Sequence, residues 1–129
     1  MSNITVGQKG EVSFTVTREK TAKFFESGGL DVFATPAMIA AMESAACNAL
    51  SLDEGSTSVG TSVNIKHVSA TPVGMKIRAV AEVTAVNGRS VDFIVTAYDE
   101  AGLIGEGTHG RAVVDIARFM QRVDGKKAE

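Results

Sequence analysis

The chain has 129 residues, 44% hydrophobic and 22% charged, which suits one ordinary globular domain burying roughly two-thirds of its unfolded surface. Its 13 basic and 15 acidic residues leave a formal net charge of -2, no field to draw nucleic acid or an anionic membrane. The single cysteine, Cys47, excludes an intrachain disulfide; with no signal-peptide pattern and no apolar run near the roughly 20 residues a bilayer crossing needs, a soluble cytoplasmic protein is expected.

Residues 12–17 alternate apolar and polar as a half-buried strand does, and 18–25 read as a short helix or turn closed by Ser27-Gly28-Gly29. The one convincing helix is 35–50, with Thr35 as N-cap and Pro36 at the first helical position, where a missing N–H has no partner to lose. Asp53 to Ser56 make a loop. Residues 59–70 read as a strand that puts Val59, Val63, Ile65 and His67 on one face. After the turn Thr71-Pro72-Val73-Gly74, strands 76–86 and 90–98 pair across Asn87-Gly88, a strong hairpin signal. A last strand, 103–116, carries several glycines, and a charged tail at 124–129 is expected to fray. The sum is an α+β domain, one antiparallel sheet covered by one helix about 22 Å long. One helix cannot cover five strands, so a homodimer is expected to hide the remainder.

Glu43 falls, at about 100° per residue, in the same arc as Ile39, Ala46 and Leu50, the arc expected to face the core. A buried carboxylate is costly unless paired or used, which makes it a candidate general base or nucleophile; the plain alternative is a rim position that reaches water. His67 is expected to point inward as well, as a proton carrier or as a satisfied structural histidine. Thr35 is a cap, and it also marks a helix start whose free N–H groups suit an oxygen that becomes negative during reaction. Along the axis Thr35 and Glu43 are separated by about 12 Å, so they share a site only across a dimer with antiparallel helices.

Other chemistry is weaker. His67 and His109 lie on different strands and no ligand pair has metal spacing, so no metal is assigned. Cys47 sits one turn after Glu43, where an acidic neighbour opposes thiolate formation, and is read as a packing residue. The run Gly105-Glu106-Gly107-Thr108-His109-Gly110 matches the dinucleotide pattern by letter, but the β-prone Arg111-Ala112-Val113-Val114-Asp115 follows where a helix is required. These glycines are expected to permit strand bending or close approach by a ligand. Arg111 is either solvated or faces a phosphate or carboxylate.

Several segments taken together resemble one family: Val32-Phe33-Ala34-Thr35-Pro36, Glu43 eight positions after the threonine, Ser58-Val59-Gly60-Thr61, Lys66-His67, Thr71-Pro72-Val73-Gly74, and Gly102-Leu103-Ile104-Gly105-Glu106-Gly107-Thr108-His109 leading to Arg111. In order and spacing, over about residues 12–118, these resemble the hot-dog-fold acyl-CoA thioesterases, in their fluoroacetyl-CoA thioesterase-like branch. The resemblance implies a curved antiparallel sheet wrapped around one long helix, in a dimer with sites between subunits. It implies a catalytic set at Thr35, Glu43 and His67, a backbone contribution from Gly60, and Arg111 near the ligand. Phe33, with Phe24 and Phe25, is near enough to line an acyl pocket, beside the plain role of core aromatic.

The implied reaction hydrolyses a small or short-chain acyl-CoA thioester. No cofactor is implied, CoA being part of the substrate. The candidate lid, Glu26-Ser27-Gly28-Gly29-Leu30, is polar and flexible, so strict fluoroacetyl specificity is not expected. Two alternatives are a non-catalytic acyl-CoA binder or sensor, and a hot-dog enoyl thioester hydratase. The hydratase characteristically relies on an Asp/His pair near the helix, where this chain has Asn48.

Overall fold

In the computed structural model, residues 3–128 are described. Strands β1 (Lys9–Thr15), β2 (Ser56–His67), β3 (Lys76–Asn87), β4 (Ser90–Asp99) and β5 (Gly102–Asp115) form one five-stranded sheet in the order β1-β3-β4-β5-β2, with every pairing antiparallel. Between β1 and β2 come a 3-10 turn (Arg18–Lys20), a one-turn helix α1 (Ala22–Phe25) and the long helix α2 (Thr35–Asn48). A final helix, α3 (Ile116–Gly125), follows β5.

The period-2 pattern of the hairpin decides which way the sheet faces. Ile77, Ala79, Ala81 and Val83 of β3 and Val91, Phe93, Val95 and Ala97 of β4 are all buried, and their neighbours are more exposed. α2 lies over this face on Ala37, Met38, Ala41, Met42, Ala45, Ala46 and Ala49. Full burial of Met38 and Met42 contributes about 1.5–3 kcal/mol each. The small residues let the layers approach closely: a side chain at Gly10 of β1 would strike the backbone of Ala45 and Ala49.

Three expectations are corrected. Of the expected arc of Ile39, Glu43, Ala46 and Leu50, only Ala46 is buried; the other three run along the helix flank and are half-buried. An alanine-rich helix is apolar nearly all round, so its pattern does not fix which face packs. Thr35 is the first helical residue and Ala34 the N-cap; the Thr35 hydroxyl is engaged by His67 and caps nothing. Val59 does not share a face with Val63, Ile65 and His67. Gly60 pairs with Arg111 and Ser62 with Gly110, leaving Thr61 as the extra residue of a β-bulge, which puts Ser58 and Gly60 on the inner face.

Beyond β5, the strand expected to run through Ile116 gives way to α3, whose N-cap is Asp115 accepting from the Arg118 amide. Asp124 and Gly125 of the expected tail lie in this helix, and Lys126–Ala128 form a 3-10 turn. Glu129, the end of that tail, lies outside the described residues.

Candidate active site

Two clusters of polar side chains lie along the flank of α2. The first joins the start of the helix to the end of β2. Phe33, just ahead of α2, donates its amide to the Thr71 carbonyl, and Val32 bridges to Pro72, so the chain entering the helix runs beside the chain leaving β2. That places Thr35 Oγ1 2.7 Å from His67 Nδ1. Both residues open on a shallow pocket of about 320 Å³ with Val32, Phe33, Ser69 and Ala70. The Nε2 of His67 is buried without a hydrogen-bond partner among the described residues. Burial pushes the imidazole below its ordinary pKa, with the Ser69 backbone opposing in part, so the ring is neutral near pH 7.

Phe33, expected to touch substrate, is a core residue. It is fully buried, packs on Phe14 and turns an edge to the His67 ring at 6.5 Å between centroids. It therefore forms the back wall of the pocket. Phe24 and Phe25 are exposed.

The second cluster surrounds Glu43, one-third of the way from the helix end. Its side chain is 40% exposed, and its Oε2 stands 3.7 Å from Arg111 Nη1. The inner face of β2 makes room for the carboxylate at Gly60, where a Cβ atom would come within 2.7 Å of Oε2. Arg111 is not a solvated strand residue; it is 7% exposed and donates from Nε to Ser58 Oγ and from Nη2 to the Ser58 carbonyl. His109, two positions earlier on β5, lies against Arg111. Ser58 carries no sign of this role in the sequence, and His109 was weighed there only as a metal ligand. The signal for His109 was its spacing, since residues two apart on a strand share a face.

The structure thus brings Thr35 to His67, and Glu43 to Gly60 and Arg111, but it does not join the two groups within one protomer. Eight residues of helix separate Thr35 from Glu43, about 12 Å at the ordinary rise. A larger cavity of about 540 Å³, lined by Val86, Arg89 and Val113, holds neither cluster. Among the described residues no three His, Cys, Asp or Glu side chains gather as metal ligands. The glycine run 105–110 lies inside β5, paired on both sides and followed by more strand, so it cannot cradle a phosphate at a helix start.

Comparison with known proteins agrees with this architecture. The family model of FlK, the fluoroacetyl-CoA-specific thioesterase, matches residues 16–117. The fluoroacetyl-CoA thioesterase of Streptantibioticus cattleyicolor is 36% identical over 126 residues, covering 92% of this chain and 91% of its own. A solved structure of the fluoroacetyl-CoA thioesterase FlK superposes with a TM-score of 0.90 at 33% identity, covering 96% of this chain and 98% of its own. A hypothetical Thermus thermophilus protein, described as a thioesterase superfamily member, superposes with a TM-score of 0.89 at 31% identity over 100% of both chains. The expected hot-dog fold is the fold observed.

Proposed function

The chain belongs to the fluoroacetyl-CoA-specific thioesterase family and is a thioester hydrolase, and on that premise we propose that it cleaves the CoA thioester of a small or short-chain acid at a site shared between two subunits. The observation that carries this is the division of the polar residues into two clusters eight residues apart along one helix flank. Each cluster is half of a hydrolytic site. Two copies related by a two-fold axis, with their α2 helices antiparallel, would set the Thr35–His67 pair against Glu43 of the partner subunit. β2 supports the arrangement: it is a 12-residue edge strand, paired on one side only among the described residues, and it leaves Val63 41% exposed on the inner face.

In such a site Glu43 either attacks the acyl carbonyl, giving an anhydride that water then opens, or takes a proton from the attacking water. Thr35 orients the carboxylate. His67, held neutral by burial, takes the attacking water's proton, directly in the anhydride route or by way of Glu43 in the other, and passes it to the CoA thiolate. A backbone N–H beside Gly60 faces the developing oxyanion, and Arg111 lends positive charge close to the carboxylate. The site uses no resident metal or cofactor, and the protein works in the cytoplasm on a soluble substrate.

The experiment is a thiol-release screen over CoA and acyl-carrier-protein thioesters of increasing chain length, with fluoroacetyl-CoA beside acetyl-CoA. Turnover concentrated on short CoA esters, and abolished in Glu43→Gln, supports the proposal. Binding without turnover would return the acyl-CoA sensor, and loss of enoyl absorbance from a crotonyl thioester would return the hydratase.

A further inference from the structure

The proposed chemistry leaves one buried titratable side chain unused, His109. The imidazole is 3% exposed and stacks on Phe93, with ring centroids 5.9 Å apart at 27°. Its Nδ1 lies 2.8 Å from the Ser62 carbonyl oxygen, and its Nε2 lies 3.2 Å from Arg111 Nη1. A carbonyl only accepts and a guanidinium only donates. These contacts therefore fix the tautomer: Nδ1 carries the proton and donates to Ser62, while bare Nε2 accepts from Arg111.

Ser58 holds Arg111 from the other side, accepting from Nε at 2.8 Å and from Nη2 at 2.9 Å. So restrained, the guanidinium stops 3.7 Å short of Glu43 Oε2, outside hydrogen-bond reach. A free guanidinium beside a carboxylate closes to about 2.7–2.9 Å, often with both forks engaged, and a carboxylate so occupied is a poor base or nucleophile. The Ser62 carbonyl that His109 grips directly follows the bulge residue Thr61. One ring thus steadies both the arginine and the strand segment that turns Gly60 toward Glu43.

We propose that His109 is a positioning residue which, with Ser58, tethers Arg111 near enough to act on the charge of Glu43 and too far away to occupy its oxygens. This rests on Glu43 being the reactive carboxylate. Glutamine can imitate the tether, since its amide both donates to Ser62 and accepts from Arg111. Asparagine is too short to span both partners, and phenylalanine does neither.

The test measures kcat and KM for His109→Phe, His109→Asn and His109→Gln, alone and with Arg111→Met, beside Glu43→Gln and with thermal unfolding of each. H109F and H109N are expected to lose about tenfold or more in kcat with KM within about twofold, H109Q to recover most of it, and neither loss to persist once Arg111 is methionine. If H109F does not fold, the contrast between H109N and H109Q decides. Additive losses in the double variants, or wild-type kcat in H109N, overturn the proposal while a dead E43Q leaves the role of Glu43 standing. Wild-type turnover in E43Q overturns the role of Glu43 and that of His109 with it.

Discussion

Thr35 Oγ1 and His67 Nδ1 stand 2.7 Å apart, a hydrogen bond that links the first residue of α2 to the last residue of β2. The backbone contacts of Val32 with Pro72 and of Phe33 with Thr71 hold the start of the helix beside the end of the strand. Thr35→Val keeps the shape and removes the hydroxyl. Its kcat is expected to fall about 10²-fold, with an unchanged melting temperature because Thr35 is exposed, whereas Thr35→Ser should keep most of the activity. Equal kcat in the valine variant and the wild type would remove Thr35 from the site.

Gly60→Ala tests the seat of the carboxylate. The added methyl would lie 2.7 Å from Glu43 Oε2 and 3.6 Å from Arg111 Nη1, and the nearest obstacle is the far end of a flexible side chain. The fold should survive and the carboxylate should move. A displacement of about 1 Å at a reacting group costs on the order of 10² in kcat. Circular dichroism with kinetics checks both halves; an active alanine variant contradicts the placement.

The turn from β4 to β5 offers a prediction about stability alone. Thr71 is fully buried and donates to Asp99 Oδ2 at 2.7 Å, while Oδ1 accepts from the amides of Ala101 and Gly102. The Thr71 hydrogen bond is the main reason the Asp99 carboxyl lies below its ordinary pKa of 3.8, burial opposing and the amides assisting. A depressed carboxylate pKa gives stability above the unfolded value that is lost as pH falls through the folded value. Thr71→Val is therefore expected to cost about 1 kcal/mol in urea unfolding at pH 7 and less below pH 3. A difference that stays constant or grows in acid would contradict the assignment.

How far the sequence disclosed this structure varies by element. The hairpin of β3 and β4 was legible because each strand alternates buried and exposed residues and an Asn-Gly pair separates them. The start of α2 was legible from Pro36, but its orientation was not, since alanine on every side gives no direction to the packing. The bulge at Thr61 was invisible, as no residue type marks it, and it moved Val59 off the inner face. α3 was missed: Ile116 was read as strand, Asp124 and Gly125 as tail, and 117–123 as no element, and its apolar residues Ile116, Met120 and Val123 stay exposed in the protomer. Thr35, Glu43 and His67 were singled out as titratable or polar groups in apolar surroundings. The tether on Arg111 was not, because it depends on which residues β2 and β5 place side by side.

The most direct measurement is subunit complementation between Glu43→Gln and His67→Asn, each inactive alone. In a shared site, a mixed dimer has one defective pairing of residue 43 with residue 67 and one intact pairing. Random exchange of equal amounts should then restore about one-quarter of wild-type activity on a short acyl-CoA ester. If exchange is complete and the mixture stays as inactive as its parents, Glu43 and His67 do not act across the subunit boundary.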